Sequence, residues 1–319
     1  MKNTTRQLLL VTVIATAGCA PAWAGWTGRL LGVVSGLKNA AVEEVHDVAS
    51  AVHLTSRDVD QLVSEGCPFV GHNTYGSTVR EDKLQAALDA GLRGFEVDEG
   101  WEDVQGRAVV AHDAVPAPFV NPELGGYLNT VWDHMKADPG TGYTLVLDLK
   151  NGNPKLAHRI QQILSDHQEL LSSLDTAGQF HQGKLTVYMS GNRDNQIEYA
   201  KWAPAHGGIL AFGEAERHSS SWSADPTAYV PAEPAGVLRY LNLNVQHLTA
   251  DGKSGTPLKL VDDRLKRLVD AANAKGYAIR LWVVNESSGV WEQCVRGGIK
   301  LIATDDYARA ADYWRSLKR

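Results

Sequence analysis

Between residues 68 and 303 the chain alternates between two hydrophobic patterns. Eight short runs, at 68–72, 94–98, 144–149, 185–189, 208–212, 238–245, 278–284 and 299–303, are apolar on consecutive positions with few internal charges. Runs of that kind suit strands buried on both faces of a parallel sheet. Between them, residues 80–90, 154–171, 195–202, 260–275 and 290–297 carry apolar side chains at helical spacing. Eight strands with helical crossovers predict an α/β architecture, a (β/α)8 TIM barrel formed as a single domain by residues 67–319. Residues 25–66 read as a helical lead-in, with Leu30, Val33, Val34, Leu37 and Ala41 on one side and Glu43, Glu44 and Asp47 on the other. The Ser/Ala/Pro-rich stretch 218–234 reads as a loop on one rim, and there is no internal repeat.

The first 24 residues have a different pattern. Lys2 and Arg6 precede an apolar segment at 8–18, and Ala22-Trp23-Ala24 offers a cleavage site before Gly25. This reads as a signal peptide, since the apolar segment is far shorter than the roughly 20 residues a bilayer requires. The alternative is a lipoprotein signal, with Thr16-Ala17-Gly18 ahead of a lipid-anchored Cys19. Either way the expected location is extracytoplasmic: secreted or periplasmic in the first case, anchored in the second. No later stretch is apolar and long enough for a membrane helix.

Composition narrows the class. At 319 residues, 44% hydrophobic and 21% charged, the chain can bury one large core, which excludes a disordered or fibrous protein. Its three cysteines, with no CxxC pair, exclude a disulfide-stapled scaffold or a zinc module. Once Cys19 leaves with the signal, Cys67 and Cys294 remain, either as unpaired thiols or as a bridge. The net charge of −6, with no Lys/Arg run, argues against nucleic acid as a partner. A monomer is expected.

Polar residues collect where the predicted strands end, the rim that carries the chemistry in such barrels. His72-Asn73 ends the first strand and Glu96 and Asp98 the second. His112-Asp113 follows an apolar run at 108–111. Asp148 and Lys150 end the third strand, Ser190-Gly191-Asn192-Arg193 the fourth, Asn285 the seventh and Thr304-Asp305 the eighth. Residues two apart on a strand share a face, so the Glu96 and Asp98 carboxylates enter one space and repel unless a cation lies between them. Oxygen donors of this kind favour a hard ion such as Mg²⁺ or Ca²⁺. Asp148 can add a third carboxylate, and Lys150 a fixed positive charge for an anionic substrate. His72 and His112 are the candidate acid and base, because an imidazole titrates near neutrality. Among the other histidines only His247, after the sixth strand, is a possible rim residue. Trp282 is a candidate for the substrate mouth, Arg193 and Asn192 for phosphate contacts, and Asp305 for ordering the rim by hydrogen bonds.

In this order the motifs resemble a known superfamily. Gly71-His72-Asn73-Thr74-Tyr75 resembles the opening motif of phosphoinositide-specific phospholipase C. Glu96-Val97-Asp98 followed by Val109-Val110-Ala111-His112 is similar to the outline shared with glycerophosphodiester phosphodiesterases and sphingomyelinase D. Leu147-Asp148-Leu149-Lys150 resembles the sphingomyelinase D strand that carries a metal ligand and a lysine. Trp282-Val283-Val284-Asn285 and Leu301-Ile302-Ala303-Thr304-Asp305 resemble glycerophosphodiesterase C-terminal segments. The nearest group is that of altered inheritance of mitochondria protein 6, through His72-Asn73-Thr74-Tyr75 and Met189-Ser190-Gly191-Asn192. The resemblance runs from residue 69 to 305. The His-Arg-Gly start of bacterial glycerophosphodiesterases is replaced here by His72-Asn73, and their Glu-Asn-Thr is missing.

The resemblance to these PLC-like phosphodiesterases implies a metal-dependent phosphoric diester hydrolase. His72 and His112 would be catalytic, Lys150 would lie beside the phosphate, and Glu96, Asp98, Asp148 and Asn73 would hold Mg²⁺ or Ca²⁺. The implied substrate is a small-molecule phosphodiester or a phospholipid. Two alternatives stay open: an inactive barrel that binds a cell-envelope ligand, and a metal-dependent sugar isomerase.

Overall fold

The computed structural model describes residues 67–72, 74, 83–102, 106–110, 122–138, 140, 142–215, 222–233, 236–253, 260–282 and 286–317. The expected signal segment and lead-in, together with Asn73, His112 and Asn285, lie outside the described residues. In chain order the elements are β1 (Phe69–Gly71), α1 (Lys83–Ala90), β2 (Gly94–Glu102), β3 (Arg107–Val110), α2 (Leu124–Ala137), β4 (Tyr143–Leu149), α3 (Pro154–Ser165), β5 (Ser173–Leu174), β6 (Phe180–His181), β7 (Leu185–Gly191), α4 (Arg193–Trp202), β8 (Ala211–Glu214), β9 (Leu238–Asn244), α5 (Asp262–Ala274), β10 (Ala278–Trp282), α6 (Ser288–Arg296), β11 (Leu301–Thr304) and α7 (Tyr307–Ser316).

Eight parallel strands, in the order β1-β2-β4-β7-β8-β9-β10-β11, close on themselves, because β1 pairs with β11 on one side and β2 on the other. Gly94 permits that closure: a Cβ there would run into the Phe69 carbonyl oxygen and Val70 Cα. All eight apolar runs are barrel strands, with ends shifted by a few residues. Outward side chains such as Phe69, Phe95, Leu145, Leu147, Val187, Leu241 and Ile302 form one continuous core with the helices. Inside the barrel a second, small apolar cluster consists of Val70, Val146 and Leu301 with Tyr188 against it. Above it, toward the strand C-termini, the interior is polar.

The five expected helices are present. In α3, Asn153 caps the Lys155 amide at 3.0 Å and Pro154 opens the first turn, while Leu156, Ile160, Ile163 and Leu164 are buried. Two further helices go beyond the expected set. In α2, Leu124, Tyr127, Leu128, Val131, Trp132 and Met135 are buried at helical spacing, but Gly125-Gly126 in its first turn masks the pattern. The second is α7, after the last strand, with Ala310, Ala311 and Trp314 buried. The crossover from β8 to β9 holds, among its described residues, only a short 3₁₀ turn at Pro226–Tyr229, pinned by Arg264, whose guanidinium donates to the Ser223, Ala224 and His247 carbonyls.

Beyond Glu99, which still pairs with Leu149 of β4, β2 leaves the barrel wall; it pairs antiparallel with β3, Glu99 opposite Val110 and Glu102 opposite Arg107. No helix among the described residues is long and apolar enough to cross a membrane. Cys67 and Cys294 form no disulfide, and burial pushes the Cys294 thiol up to about 12.

Candidate functional site

The rim at the strand C-termini carries a connected set of charges. Register places Asp98 of β2 directly beside Asp148 of β4. Two adjacent carboxylates need a cation, and Lys150 supplies one: its Nζ lies 2.7 Å from Asp148 Oδ2 and 2.9 Å from Asp98 Oδ1. Burial opposes charge on Lys150, but the two aspartates outweigh it and raise its pKa, so the ammonium is retained. The Lys150 amide donates to the Glu99 carbonyl at 2.7 Å and the Asn192 amide to the Leu149 carbonyl at 2.7 Å, which ties the strand ends together.

Gly191 makes this approach possible. Its φ of +79° favours glycine, and a Cβ there would collide with Asp148 Oδ1 and the Leu149 carbonyl. Asn192 then caps α4 by accepting from the Asn195 amide at 3.1 Å. Asp148, Lys150, Gly191, Asn192, Arg193 and Asp194 line a cavity of about 550 Å³ open to the rim. Arg193 is committed to the end of β8, donating to the Glu214 and Ala215 carbonyls.

Glu96 takes a different partner. It forms a buried ion pair with Arg280 of β10, both residues being 3% exposed. Arg280 also donates to Asn242 Oδ1 at 2.9 Å, and Asn242 donates to Glu214 Oε1 at 2.7 Å. A polar layer therefore crosses the barrel from β2 to β8 above the apolar plug. Burial raises the Glu214 pKa despite these donors. Glu99, on the outer face of β2, is fully buried with no hydrogen-bond partner for either carboxylate oxygen among the described residues. Burial first, then the charges of Asp148 and Asp98, push its carboxyl well above the ordinary range.

His72 follows β1 and is held on three sides. Its amide donates to the Thr304 carbonyl at 2.8 Å, its carbonyl accepts from the Tyr307 hydroxyl, and its Nδ1 lies 2.9 Å from Asp305 Oδ1. Burial would lower the imidazole pKa; the Asp305 hydrogen bond, with the charges of Glu96 and Asp305, raises it overall. Asp305 is set in turn by Glu286, which accepts from the Asp305 amide and the Thr304 hydroxyl at 2.8 Å each. With Nδ1 engaged, Nε2 is the nitrogen left for proton transfer.

The structure thus gathers His72, Glu96, Asp98, Asp148 and Lys150 at one rim, with Asp305 ordering it through a hydrogen bond. Among the described residues no three His, Cys, Asp or Glu side chains cluster closely enough to hold an ion alone. Asp98 and Asp148 fit a hard cation, since they face one cation position, taken here by the Lys150 ammonium. Glu96, two residues below Asp98 on the same face, is turned to Arg280. His247, just after β9, is buried, its Nδ1 2.8 Å from the Asn244 carbonyl oxygen and its ring against Tyr229. Trp282 stands at the end of β10, 40% exposed. Arg280, Asn242, Glu214 and Glu286 were not among the sequence candidates. The available signal was Arg280 itself, a charge in the middle of an apolar strand.

The closed parallel barrel with a polar rim at the strand C-termini defines a (β/α)8 protein. An Oleispira antarctica phosphodiesterase solved with its product sn-glycerol-3-phosphate superposes with a TM-score of 0.51 at 12% identity, over 80% of this chain and 99% of that one. A glycerophosphodiester phosphodiesterase from Agrobacterium tumefaciens gives 0.49 at 14% identity, over 78% and 98%. A Ca²⁺-dependent phosphatidylinositol-specific phospholipase C from Streptomyces antibioticus gives 0.48 at 14% identity, over 78% and 95%. No protein-family model matches the sequence, and no curated protein matches it. What the chain shares with the Oleispira antarctica structure is the (β/α)8 fold.

Proposed function

We propose that the chain is an exported phosphoric diester hydrolase, acting at the C-terminal rim on a small-molecule phosphodiester or a phospholipid with the help of Mg²⁺ or Ca²⁺. The observation that carries this reading is the His72–Asp305 pair, 2.9 Å apart, at the same rim as the Asp98–Lys150–Asp148 cluster. An oriented imidazole and a fixed cation at one rim are groups that in-line attack at an anionic phosphorus can use.

Lys150 offers its ammonium to a non-bridging phosphate oxygen. One of His72 and His112 removes the proton of the attacking water or substrate hydroxyl. The other protonates the departing alkoxide. β3 brings the chain to Val110, paired with Glu99, and His112 follows two residues later. Asp98 and Asp148, with Asn73, are the donors that would hold the metal ion, at the position the Lys150 ammonium takes here; Glu96 would join them only by giving up Arg280, and the ion when bound would draw charge from the phosphate. The cavity of about 550 Å³ is ample for a phosphate ester of the size of the sn-glycerol-3-phosphate seen in the Oleispira antarctica enzyme.

The test is turnover of bis(p-nitrophenyl) phosphate. It should vanish in EDTA, return with Mg²⁺ or Ca²⁺, and fall about 10²–10⁴-fold in His72→Ala and His112→Ala, with unchanged circular dichroism. A panel of glycerophosphodiesters, lysophospholipids and phosphatidylinositol, with product analysis, then identifies the substrate and separates a cyclic from a hydrolysed product. Absence of turnover on every diester at every metal concentration refutes the reading in favour of a binding barrel or an isomerase.

A further inference from the structure

The N-terminal mouth of the barrel, at the other end of the strands from the rim, holds two adjoining cavities of about 380 and 200 Å³. They share Gln182, Thr186, Tyr188, Ala278, Gly298 and Lys300 as walls. Strand β7 measures the separation from the candidate active site: Thr186 and Tyr188 line the floor, whereas Gly191 lines the rim cavity. From Thr186 to Gly191 five residues of strand span roughly 16 Å, and from Tyr188 three span roughly 10 Å.

The charge of this floor runs against that of the chain. The net charge is −6, yet the described walls of the two cavities contain Arg239 and Lys300 and no Asp or Glu. Arg239 forms no ion pair or hydrogen bond among the described residues; its guanidinium lies over the rings of Phe180 at 4.6 Å and Phe212 at 5.4 Å. Those two rings pack on each other at 6.0 Å, so the guanidinium lies to one side over both, and the N–H groups along its edge can grip a carboxylate or phosphate through two parallel hydrogen bonds. Tyr188 is a wall of both cavities and makes no hydrogen bond through its hydroxyl among the described residues. Its ring packs on Tyr240 and Phe212, and burial holds its phenol up at about 12, so at neutral pH it is a donor. Phe180, 38% exposed, and Tyr277 complete an aromatic wall. Flat apolar walls with two cations and a phenol suit one kind of guest, since a cavity of this size takes a ring-sized group and the polar atoms fix its orientation.

We propose that the floor of the barrel is a binding site for a small organic anion, a carboxylate or phosphate carried on a flat apolar group, gripped by Arg239 and Lys300 with Tyr188 donating. The site is separate from the rim, so its occupant does not displace substrate, and the proposal does not depend on the hydrolase reading.

Calorimetric titration of the purified chain with benzoate and with phenyl phosphate tests it, and the two arms distinguish a carboxylate from a phosphate. Inorganic phosphate and benzyl alcohol serve as the ring-free and charge-free controls. At least one aryl anion should bind ten times more tightly than both controls. Arg239→Met, which keeps the apolar contact with Phe180 and removes the charge, should weaken that binding at least tenfold. Lys150→Ala, at the opposite end of the barrel, should leave it unchanged. If Arg239→Met does not give the parent circular dichroism spectrum, Lys300→Met replaces it as the deciding variant, because Lys300 is exposed. The proposal is overturned if aryl anions bind no better than the controls, if the deciding variant binds like the parent, or if Lys150→Ala abolishes binding.

Discussion

Removing the charge of Arg280 should be among the most damaging single changes in the barrel. Its guanidinium and the Glu96 carboxylate form an ion pair in which each residue is 3% exposed, so neither can recover its hydration if the other is lost. Breaking such a pair from one side costs about 3–5 kcal/mol, because a buried charge is left without a counterion. Asn242 Oδ1 also loses its donor at 2.9 Å, a further cost of about 1 kcal/mol. Arg280→Met should therefore lose about 4–6 kcal/mol. With a urea m-value of about 3 kcal/mol/M, the midpoint should fall by more than 1 M. Pairing it with Glu96→Leu removes the stranded carboxylate, and replacing both charges by apolar groups of similar volume is close to neutral. The double variant should thus recover most of the loss. Urea denaturation followed by circular dichroism on the parent, both single variants and the double variant gives the coupling directly. A loss below about 1 kcal/mol in Arg280→Met, or a double variant no more stable than the single, would refute the reasoning.

Three further outcomes are expected. Asp305→Asn removes the group that raises the His72 pKa, so the imidazole midpoint followed by NMR should lie above the ordinary histidine value in the parent and move down in the variant. The pair contributes to stability above the pH where Asp305 protonates in the fold, and that contribution fades as pH rises through the raised His72 value. Both side chains are too exposed for it to exceed about 1 kcal/mol, so NMR is the more sensitive readout. Gly191→Ala forces a side chain into a left-handed backbone and against Asp148 and the Leu149 carbonyl; thermal unfolding should show about 2–4 kcal/mol lost, with turnover reduced as the Asp98–Lys150–Asp148 cluster is displaced. Just after α2, Asp138 accepts from the Tyr143 hydroxyl at 2.5 Å and the Gly140 amide at 2.8 Å and pairs with Arg93 at 2.9 Å, which holds its carboxyl below the usual range. Asp138→Asn should cost about 1–2 kcal/mol at neutral pH. A stability–pH profile should show that difference intact above the unfolded aspartate value and gone once pH falls through the lowered folded one.

The barrel was legible because its strands are short apolar runs, and such runs have few other places to go in a chain of this size. Period-two alternation along a strand is local, so it was enough to set Glu96 with Asp98, and Asp148 with Lys150, on the inner face. The helix α2 escaped because two glycines in its first turn lower helix propensity, while the burial that stabilises it comes from the sheet beneath. The partner of each charge could not be read in the same way. Glu96 and Arg280 are 184 positions apart, and His72 and Asp305 are 233 apart; both pairs meet because β1 closes onto β2 and β11. Whether Lys150 reaches one aspartate or bridges two follows from the register of β2 against β4, and whether a cationic, aromatic floor forms follows from β6, β8 and β9 converging at the mouth. Local pattern specifies which face a side chain occupies. Its electrostatic partner is set by ring closure, in which side chains with no sequence relation share a low-dielectric interior and must satisfy one another there.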